Sequence, residues 1–289
     1  MRMNEGCAQC ILGKKLNDYP PTATAAQVAE YQGRVRQAVR DGMTGSSPEL
    51  HGVISAAYRD IFGPERDYAD IKRRFNALML ALEPDLQADV DASPDSLARA
   101  VQYAMAGNFI DFAALGDVDE GELRLKLVAA REMPVDPAAL EALRGEAAAA
   151  RRLVYFTDNC GEIVADKLLV RVLRRLNPAL HVTVIVRGAP VVNDATLEDA
   201  CQVNMGAVAQ RVIGSGCDLP GSVLSRLRGE APAAVDAADV LIAKGQANYE
   251  GLCGCGRNVF YIFMCKCSMF TQRFGVPQFS GVLTREERA

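Results

Sequence analysis

Residues 153–162 read Leu-Val-Tyr-Phe-Thr-Asp-Asn-Cys-Gly-Glu, and this stretch decides the fold class of the 289-residue chain. Leu153–Thr157 is a short apolar run, and polar residues with one glycine follow it directly. Apolar residues then recur at three- and four-residue spacing through Gly161–Leu176, which predicts an amphipathic helix. A buried strand that passes through a polar loop into a helix is typical of α/β proteins.

The alternation of strands and helices continues to the C-terminus. A helix starts at Ala195–Cys201, and further strands are predicted at His181–Val186, Arg211–Ile213, Val240–Ala243 and Val259–Cys265. This order predicts a parallel, doubly wound sheet covered by helices on both faces, which is a three-layer α/β/α arrangement.

The first half of the chain has a different pattern, because it contains helical periodicity and no predicted strand. Apolar residues recur at helical spacing in Ala23–Ala38, Glu49–Phe62, Tyr68–Leu82, Ser96–Ala106 and Glu120–Ala130, and Pro137–Arg152 is predicted as a connecting helix. We therefore predict two domains, a helical N-terminal domain over residues 1–150 and an α/β catalytic domain over residues 151–289.

Composition excludes several classes of protein. Hydrophobic residues make up 49% of the chain and charged residues 24%, as in ordinary globular domains. A net charge of −4 and the absence of Trp argue against nucleic-acid binding. The chain has only two histidines, His51 and His181, which excludes zinc hydrolase sites built on several His ligands. Because neither a signal peptide nor a membrane-length apolar segment is visible, we expect a cytoplasmic protein that does not bind membranes.

Three of the predicted strands are followed by polar clusters. In doubly wound sheets ligands bind beyond the carboxyl ends of the strands, so we expect these clusters to lie together. The clusters are Asp158-Asn159-Cys160-Gly161-Glu162, then Arg187-Gly188-Ala189-Pro190 with Asn193-Asp194, and Lys244-Gly245-Gln246-Ala247-Asn248-Tyr249-Glu250.

The residue types in these clusters indicate metal-assisted chemistry on a phosphate. Carboxylates such as Asp158 and Asp194 suit Mg²⁺ or Mn²⁺, whereas Arg187 and Lys244 suit phosphate oxygens. Each residue also has a simpler interpretation, and these alternatives stay open. Asp158, Asn159 and Asp194 could cap the helices that follow them. Arg187 could be a solvated strand end, and Glu162 and Glu250 could be charges in a first helical turn or in a loop.

The motifs resemble those of the metal-dependent damage-control phosphatases, formerly domain of unknown function 89, and most closely the stand-alone microbial branch with an N-terminal Cys-x-x-C. The resemblance covers nearly the whole chain. Besides the three clusters, it includes Cys7-Ala-Gln-Cys10, Tyr68-Ala-Asp-Ile-Lys72, Gly107-Asn108-Phe109-Ile110-Asp111 and Asn193-Asp194-Ala195-Thr196.

The resemblance implies hydrolysis of phosphorylated small metabolites, such as sugar phosphates or damaged cofactor intermediates. It implies one divalent metal (Mn, Mg, Co or Ni) held by Asp158, Asn159 and Asp194. Lys244 and Arg187 would then lie near the substrate phosphate, with Glu162 as a candidate acid/base or a residue acting behind the metal ligands. The expected substrate-binding residues are Asn108, Asp111, Asn193, Asn248 and Glu250.

The nine cysteines suggest a second site. Cys7-x-x-Cys10 is half of a zinc site, and its other half could be Cys265/Cys267 or Cys253/Cys255. We expect a possible structural zinc on Cys7, Cys10 and Cys267. The alternatives are a redox-inert pair and a reversible disulfide.

Two other functions compete with the phosphatase. One is an S-adenosylmethionine-dependent protein carboxyl methyltransferase on a similar sheet, which needs a glycine-rich first loop, whereas only Gly161 stands there. The other is a non-enzymatic thiol-metal or redox protein built on the cysteine pairs. The oligomeric state stays open.

Overall fold

The computed structural model describes residues 1–43, 45–111 and 119–287. A six-stranded sheet has the order β3-β2-β1-β4-β5-β6. The first five strands are parallel, and β6 runs antiparallel to β5. The strands are β1 (Arg152–Phe156), β2 (His181–Val186), β3 (Arg211–Gly214), β4 (Val240–Lys244), β5 (Val259–Met264) and β6 (Gly281–Glu286).

The sheet order places a switch point between β1 and β4. The chain leaves β1 towards β2 and β3 on one side and returns to β4 on the other. The chain therefore leaves β1 and β4 in opposite directions, and the carboxyl ends of strands at such a switch point are where doubly wound sheets bind ligands.

Helices cover both faces of this sheet. Within the described ranges they are α1 (Glu5–Lys15), α2 (Ala25–Gly42), α3 (Ser47–Phe62), α4 (Ala69–Ala92), α5 (Ser96–Gly107), α6 (Glu120–Ala129), α7 (Pro137–Ala149), α8 (Glu162–Leu176), α9 (Leu197–Gln202), α10 (Ala231–Asp236), α11 (Gln246–Leu252) and α12 (Ser268–Phe274). None of these helices is long and apolar enough to cross a bilayer.

Alternate residues of each strand enter different cores, as the two-residue period of a strand requires. In β1, Leu153 and Tyr155 join the core beneath α4, α5, α7 and α8. Val154 and Phe156 join the core beneath α10, α11 and α12. Since both faces are covered, the predicted α/β class and three-layer architecture are confirmed.

Helices α1, α2 and α3 form a third, smaller core. Tyr31 is fully buried in it and makes edge-on ring contacts with Tyr58 and Phe62. The side chain of Thr24 caps α2, and Gln27 completes the capping box. The division at residue 150 stays a prediction, and the core beneath α8 contains residues from both sides of it.

The structure differs from the sequence prediction at several elements. The predicted helix Pro137–Arg152 ends at Ala149, and Arg152 already belongs to β1. The predicted helix Tyr68–Leu82 runs on to Ala92. Five elements were not predicted, because each is short or buries few residues: α1, α10, α11, α12 and β6.

Candidate active site

The loops after β1 and β2 are joined through their backbones. Asn159 and Asp194 form an isolated antiparallel bridge. The Ala195 N–H donates to the Asp158 carbonyl at 2.8 Å, and the Cys160 N–H donates to the Asn193 carbonyl at 2.8 Å. The two segments therefore behave as one unit that fixes the predicted metal ligands next to each other.

The capping alternative for these ligands is wrong. Helix α8 has Gly161 at its N-cap, with φ of 68° and no side-chain cap. Helix α9 is capped by Thr196 instead of Asp194. The side chains of Asp158, Asn159 and Asp194 are consequently not used as helix caps, and all three are buried.

Arg187 connects the two aspartates. Its Nε donates to Asp194 Oδ2 at 2.5 Å, and its Nη2 donates to Asp158 Oδ1 at 3.2 Å. Its Nη1 donates to Asn248 Oδ1 at 3.3 Å. The side chain is only 1% exposed, so the interpretation as a solvated strand end is wrong. Burial lowers the pKa of Arg187, but Asp194 and Asp158 outweigh this effect and raise it.

Lys244 at the end of β4 is fully buried between two carboxylates. Its Nζ donates to Glu162 Oε1 at 2.7 Å and to Asp166 Oδ1 at 2.6 Å. Burial lowers its pKa, yet these carboxylates raise the pKa of Lys244 to about 12. Tyr155 also donates its hydroxyl to Asp166 Oδ1, at 2.7 Å. The ammonium is thus charged and held in place.

Asp166 was not predicted as a site residue. It lies one turn after Glu162 on α8, and the i, i+4 spacing that puts the two on one helix face was the available signal. Its Oδ2 is buried and makes no hydrogen bond within the described part of the chain.

Amide side chains surround Asp158. Asn108 follows α5, and its Nδ2 donates to Asp158 Oδ2 at 3.0 Å and to Glu162 Oε2 at 2.9 Å. Asn159 Nδ2 donates to the same two oxygens at 3.0 and 2.8 Å. The helical first half of the chain therefore delivers Asn108 into the predicted cluster.

Two predicted substrate-binding residues have other partners. Asn193 is fully buried, and its Nδ2 donates to the Ile110 carbonyl at 3.1 Å. The structure does not bring Glu250 into the cluster, because its carboxylate bonds to Ser47, and burial raises its pKa to about 7. Two residues along α11 from Asn248, Glu250 points roughly 200° away.

Asp111 and a lysine that the sequence analysis missed form a pair at the edge of the cluster. Lys266 Nζ donates to Asp111 Oδ2 at 2.7 Å. Lys266 follows β5, which ends at Met264 and not at Cys265 as predicted. Lys266 satisfies the rule that polar residues at the carboxyl ends of strands form the site. Its neighbours Cys265 and Cys267 led us to interpret this segment as part of a zinc site instead.

The charges in the cluster suit a divalent cation. The carboxylates of Asp158, Glu162, Asp166 and Asp194 face the cations of Arg187 and Lys244, which leaves two excess negative charges. Burial, followed by the charges of Glu162 and Asp194, raises the pKa of Asp158 well above its ordinary range.

The backbone after β4 packs directly against Asp158. A Cβ on Gly245 would lie 1.9 Å from Asp158 Oδ2, so only glycine fits beside this carboxylate. Within the described residues no three His, Cys, Asp or Glu side chains are arranged to hold a metal. The predicted set has two carboxylates and one amide, and all three supply the oxygen donors that Mg²⁺ and Mn²⁺ prefer.

The cysteines are free thiols. Burial raises the pKa of Cys7, and the nearby charges of Glu250, Cys267 and Cys10 add to this effect. Cys7, Cys10 and Cys267 are therefore neighbours, but they are not arranged as a metal site in the described structure. The structural zinc stays a prediction.

Comparison with known proteins identifies the family of the chain. The chain is 28% identical to a damage-control phosphatase of Archaeoglobus fulgidus over 289 residues, which covers 96% of each chain. It is 30% identical to a damage-control phosphatase of Pyrococcus horikoshii over 65% of this chain and 64% of that protein.

A crystal structure of a Pyrococcus horikoshii protein of the domain-of-unknown-function-89 family superposes with a TM-score of 0.83. It has 21% identity and covers 99% of this chain and 100% of the other, which shows a common fold. Residues 3–282 match the family described as damage-control phosphatase ARMT1-like domain. The chain therefore belongs to the ARMT1-like damage-control phosphatase family.

Proposed function

We propose that this protein is a divalent-metal-dependent phosphomonoesterase that acts on small phosphorylated metabolites, such as sugar phosphates or damaged cofactor intermediates. The observation that carries the proposal is the buried cluster at the switch point. There Arg187 joins Asp158 to Asp194, and carboxylates outnumber cations by two.

Asp158, Asn159 and Asp194 would hold the metal, which would be Mn²⁺, Mg²⁺, Co²⁺ or Ni²⁺. When bound, such an ion polarises a phosphoryl oxygen and lowers the pKa of its water. The protein's own contribution is positioning. Arg187 fixes the two aspartates in one orientation, and the backbone bridge between Asn159 and Asp194 fixes their loops.

Glu162 and Lys244 stabilise the cluster around the proposed metal ligands. Glu162 accepts hydrogen bonds from Lys244, Asn108 and Asn159. Both of its carboxylate oxygens are therefore occupied by donors from the cluster. These contacts favour a positioning role for Glu162 over proton transfer. Lys244 adds a fixed positive charge beneath the cluster and partly offsets the carboxylates.

The competing functions have weaker support. A methyltransferase would need an open glycine-rich loop after β1. Gly161 instead packs tightly, since a Cβ there would lie 2.9 Å from Ile110 Cδ1 and 3.2 Å from the Phe75 carbonyl. The redox chemistry of thiols would not require the buried carboxylates. Hydrolysis that survives Cys7→Ser with Cys10→Ser separates the enzyme from that alternative.

The test is hydrolysis of p-nitrophenyl phosphate by chelator-treated protein to which Mn²⁺, Co²⁺, Ni²⁺ or Mg²⁺ is returned. We expect activity only with added metal and a loss of about 100-fold or more in Asp194→Asn. Asp91→Asn, at a half-exposed ion pair with Arg175, is the control and should keep its activity. Equal turnover in stripped and metal-loaded protein would refute the proposal. If activity depends on metal as expected, a panel of phosphorylated metabolites defines the substrate.

A further inference from the structure

Asn159 is the amide among the three proposed metal ligands, and an amide has two unlike ends. Its Oδ1 can bind a cation, whereas its Nδ2 group only donates hydrogen bonds. A carboxylate such as that of Asp158 or Asp194 presents an oxygen in either orientation. For Asn159, the direction of the amide therefore decides whether the side chain is a ligand at all.

Two carboxylates set this direction in the structure. Asn159 Nδ2 donates to Glu162 Oε2 at 2.8 Å and to Asp158 Oδ2 at 3.0 Å. The opposite orientation would place Oδ1 against these two acceptors and lose both hydrogen bonds. Within the described residues no donor bonds to Asn159 Oδ1, so this oxygen is left for an ion.

Glu162 is fully buried on the first turn of α8 and is itself surrounded by donors. Its Oε1 accepts from Lys244 Nζ at 2.7 Å, and its Oε2 accepts from Asn108 Nδ2 at 2.9 Å. The Asn108 amide is fixed as well, because its Oδ1 accepts from the Met264 N–H at 3.0 Å. Only a side chain that accepts on both oxygens satisfies these partners.

Lys244 fixes the Oε1 side of this carboxylate. Its ammonium also donates to Asp166 Oδ1 at 2.6 Å, and the same oxygen accepts from the Tyr155 hydroxyl at 2.7 Å. Lys244 is fully buried, so a turn away from either carboxylate would leave a buried charge unpaired, which is costly. One oxygen of Glu162 is thus committed to Lys244, and the other faces Asn159.

We propose that Glu162 is the positioning residue that turns the Asn159 amide, so that Oδ1 and not Nδ2 faces the divalent ion. This inference rests on the proposed metal-dependent function and assigns what Glu162 does there. Glu162 acts through Asn159 and contacts neither the ion nor the substrate. Because its negative charge also belongs to the cluster, the variants below separate the direction of the amide from charge.

Glu162→Gln reverses the preference of the amide. The buried ammonium of Lys244 needs an acceptor, so the new side chain presents its oxygen to Lys244 and its NH₂ group to Asn159. Asn159 relieves this contact by turning its own oxygen towards the glutamine and away from the ion. We expect Mn²⁺ to bind about 100-fold more weakly, measured by electron paramagnetic resonance of free Mn²⁺ in titrations of chelator-treated protein.

Asp166→Asn is the matched control. Asp166 and Glu162 both pair with Lys244, so each variant removes one negative charge from the same ammonium. Asp166 makes no hydrogen bond to Asn159 in the described part of the chain. Its Mn²⁺ affinity should therefore fall by less than about 10-fold. Equal losses in the two variants would show that charge alone matters and would overturn the proposal.

Two double variants with equal charge test the direction of the amide itself. Asn108 and Asn159 bond to the same two oxygens, Asp158 Oδ2 and Glu162 Oε2. In Glu162→Gln with Asn159→Asp, one carboxylate oxygen accepts from the glutamine and the other stays available, so Mn²⁺ affinity should return to within about 10-fold of the wild type. In Glu162→Gln with Asn108→Asp, Asn159 stays turned and the loss should persist. Equal affinity of the two double variants would contradict the proposal.

Glu162→Asp replaces these variants if Glu162→Gln does not fold. It keeps the charge, but its side chain is one carbon shorter and loses the contact with Asn159. We expect Mn²⁺ affinity to fall about 10-fold or more, whereas unchanged affinity would overturn the proposal.

The outcomes also separate this inference from the proposed function. If wild-type protein hydrolyses p-nitrophenyl phosphate but Glu162→Gln binds Mn²⁺ as the wild type does, the role of Glu162 is refuted and the phosphatase function stands. If wild-type protein hydrolyses no phosphate ester with any of the four ions, the phosphatase function itself fails, and the inference fails with it.

Discussion

At the scale of single residues, Arg187 determines whether the candidate metal ligands can lie together. It contacts both Asp158 and Asp194 while nearly inaccessible to solvent. Arg187→Met removes this bridge and leaves two buried carboxylates without their cation. We expect the free energy of unfolding of the metal-free protein to fall by about 3–5 kcal/mol, measured by urea denaturation.

The control for this variant is Arg175→Met, which removes an ion pair between half-exposed partners, Arg175 and Asp91. Its unfolding curve should stay close to that of the wild type, because surface pairs contribute little. A similar loss of stability in both variants would show that the burial of Arg187 is not what matters.

Gly245 provides a second test at this scale. Gly245→Ala places a Cβ on Asp158 at a φ of 80°, whereas Gly254→Ala adds a Cβ at a φ of 84° with no atom within 4 Å. Both variants place an alanine at a positive φ, which costs on the order of 1–3 kcal/mol, and Gly245, with a ψ of 158°, lies in a region that essentially only glycine adopts. Only Gly245→Ala should lose metal affinity and turnover, as measured by titration calorimetry and ester hydrolysis. Equal losses in the two variants would contradict the contact with Asp158.

The sequence predicted many of the site residues because one rule of topology applies to them. Asp158 and Arg187 follow β1 and β2, Lys244 is the last residue of β4, and the structure brings the three into one cluster. The rule could not predict the position of Glu250, because the direction of its side chain depends on how α11 is rotated about its axis. Lys266 also follows the end of a strand, but its cysteine neighbours directed the interpretation of this segment towards zinc.

At the scale of elements, α4 ties the two site loops to the helical first half of the chain. The Gly161 N–H donates to Asn76 Oδ1 at 2.6 Å, and Asn76 Nδ2 donates to Asp199 Oδ1 at 2.9 Å. Lys72 Nζ lies 2.6 Å from Asp199 Oδ2. Helix α4 thus contacts the start of α8 and the first turn of α9. Helix α8 follows the loop that contains Asp158, and α9 follows the loop that contains Asp194.

Asn76→Ala tests this coupling. It leaves the Gly161 N–H buried without its acceptor, so we expect a loss of about 1–3 kcal/mol in unfolding free energy and lower kcat. Gln87→Ala, on the same helix, is the control, since Gln87 bonds to Arg171 and Asp91 away from the site. Reduced stability with unchanged kcat in Asn76→Ala would show that the contact has no role in shaping the site.

The sequence predicted those strands and helices that bury a regular pattern of apolar residues. Strand β1 buries four of its five residues and was recognised at once. Strand β6 is the last strand of the sheet and buries only Val282 and Leu283, so its sequence has no strong alternation. Helix α1 buries only Ala8 and Ile11. Such elements depend on contacts from the rest of the molecule, which a local pattern does not contain.

At the scale of the whole molecule, stability should depend on pH through His51. Burial lowers the pKa of His51 from 6.5 to about 4, and the charges of Lys15 and Lys14 add to this effect. Between these pH values the unfolded chain binds a proton that the folded chain does not, so stability falls as pH decreases from 6.5 towards 4.

His51→Gln should reduce this dependence, seen as a smaller difference between urea midpoints at pH 7 and pH 5 than in the wild type. The corresponding variant at the other histidine, His181→Gln, is the control and should keep the wild-type difference. An unchanged difference in His51→Gln would contradict the account of His51 as a buried neutral group.

The fold class followed from the alternation of strands and helices, but the strand order and the position of α4 and α5 did not. Their apolar faces predicted helices, and only the structure shows that they pack against α8 on the sheet. That packing brings Asn108 to Asp158 and completes the cluster. Long-range contacts of this kind have no local sequence signal.

The central claim is that Asp158 and Asp194 hold one divalent ion, and electron paramagnetic resonance of Mn²⁺ tests it most directly. In a titration of chelator-treated protein, the signal of free Mn²⁺ should stay low until about one equivalent per chain has been added. Asp158→Asn with Asp194→Asn should abolish this binding while the fold persists. If the double variant binds Mn²⁺ as tightly as the wild type, the ion lies elsewhere and the claim is contradicted.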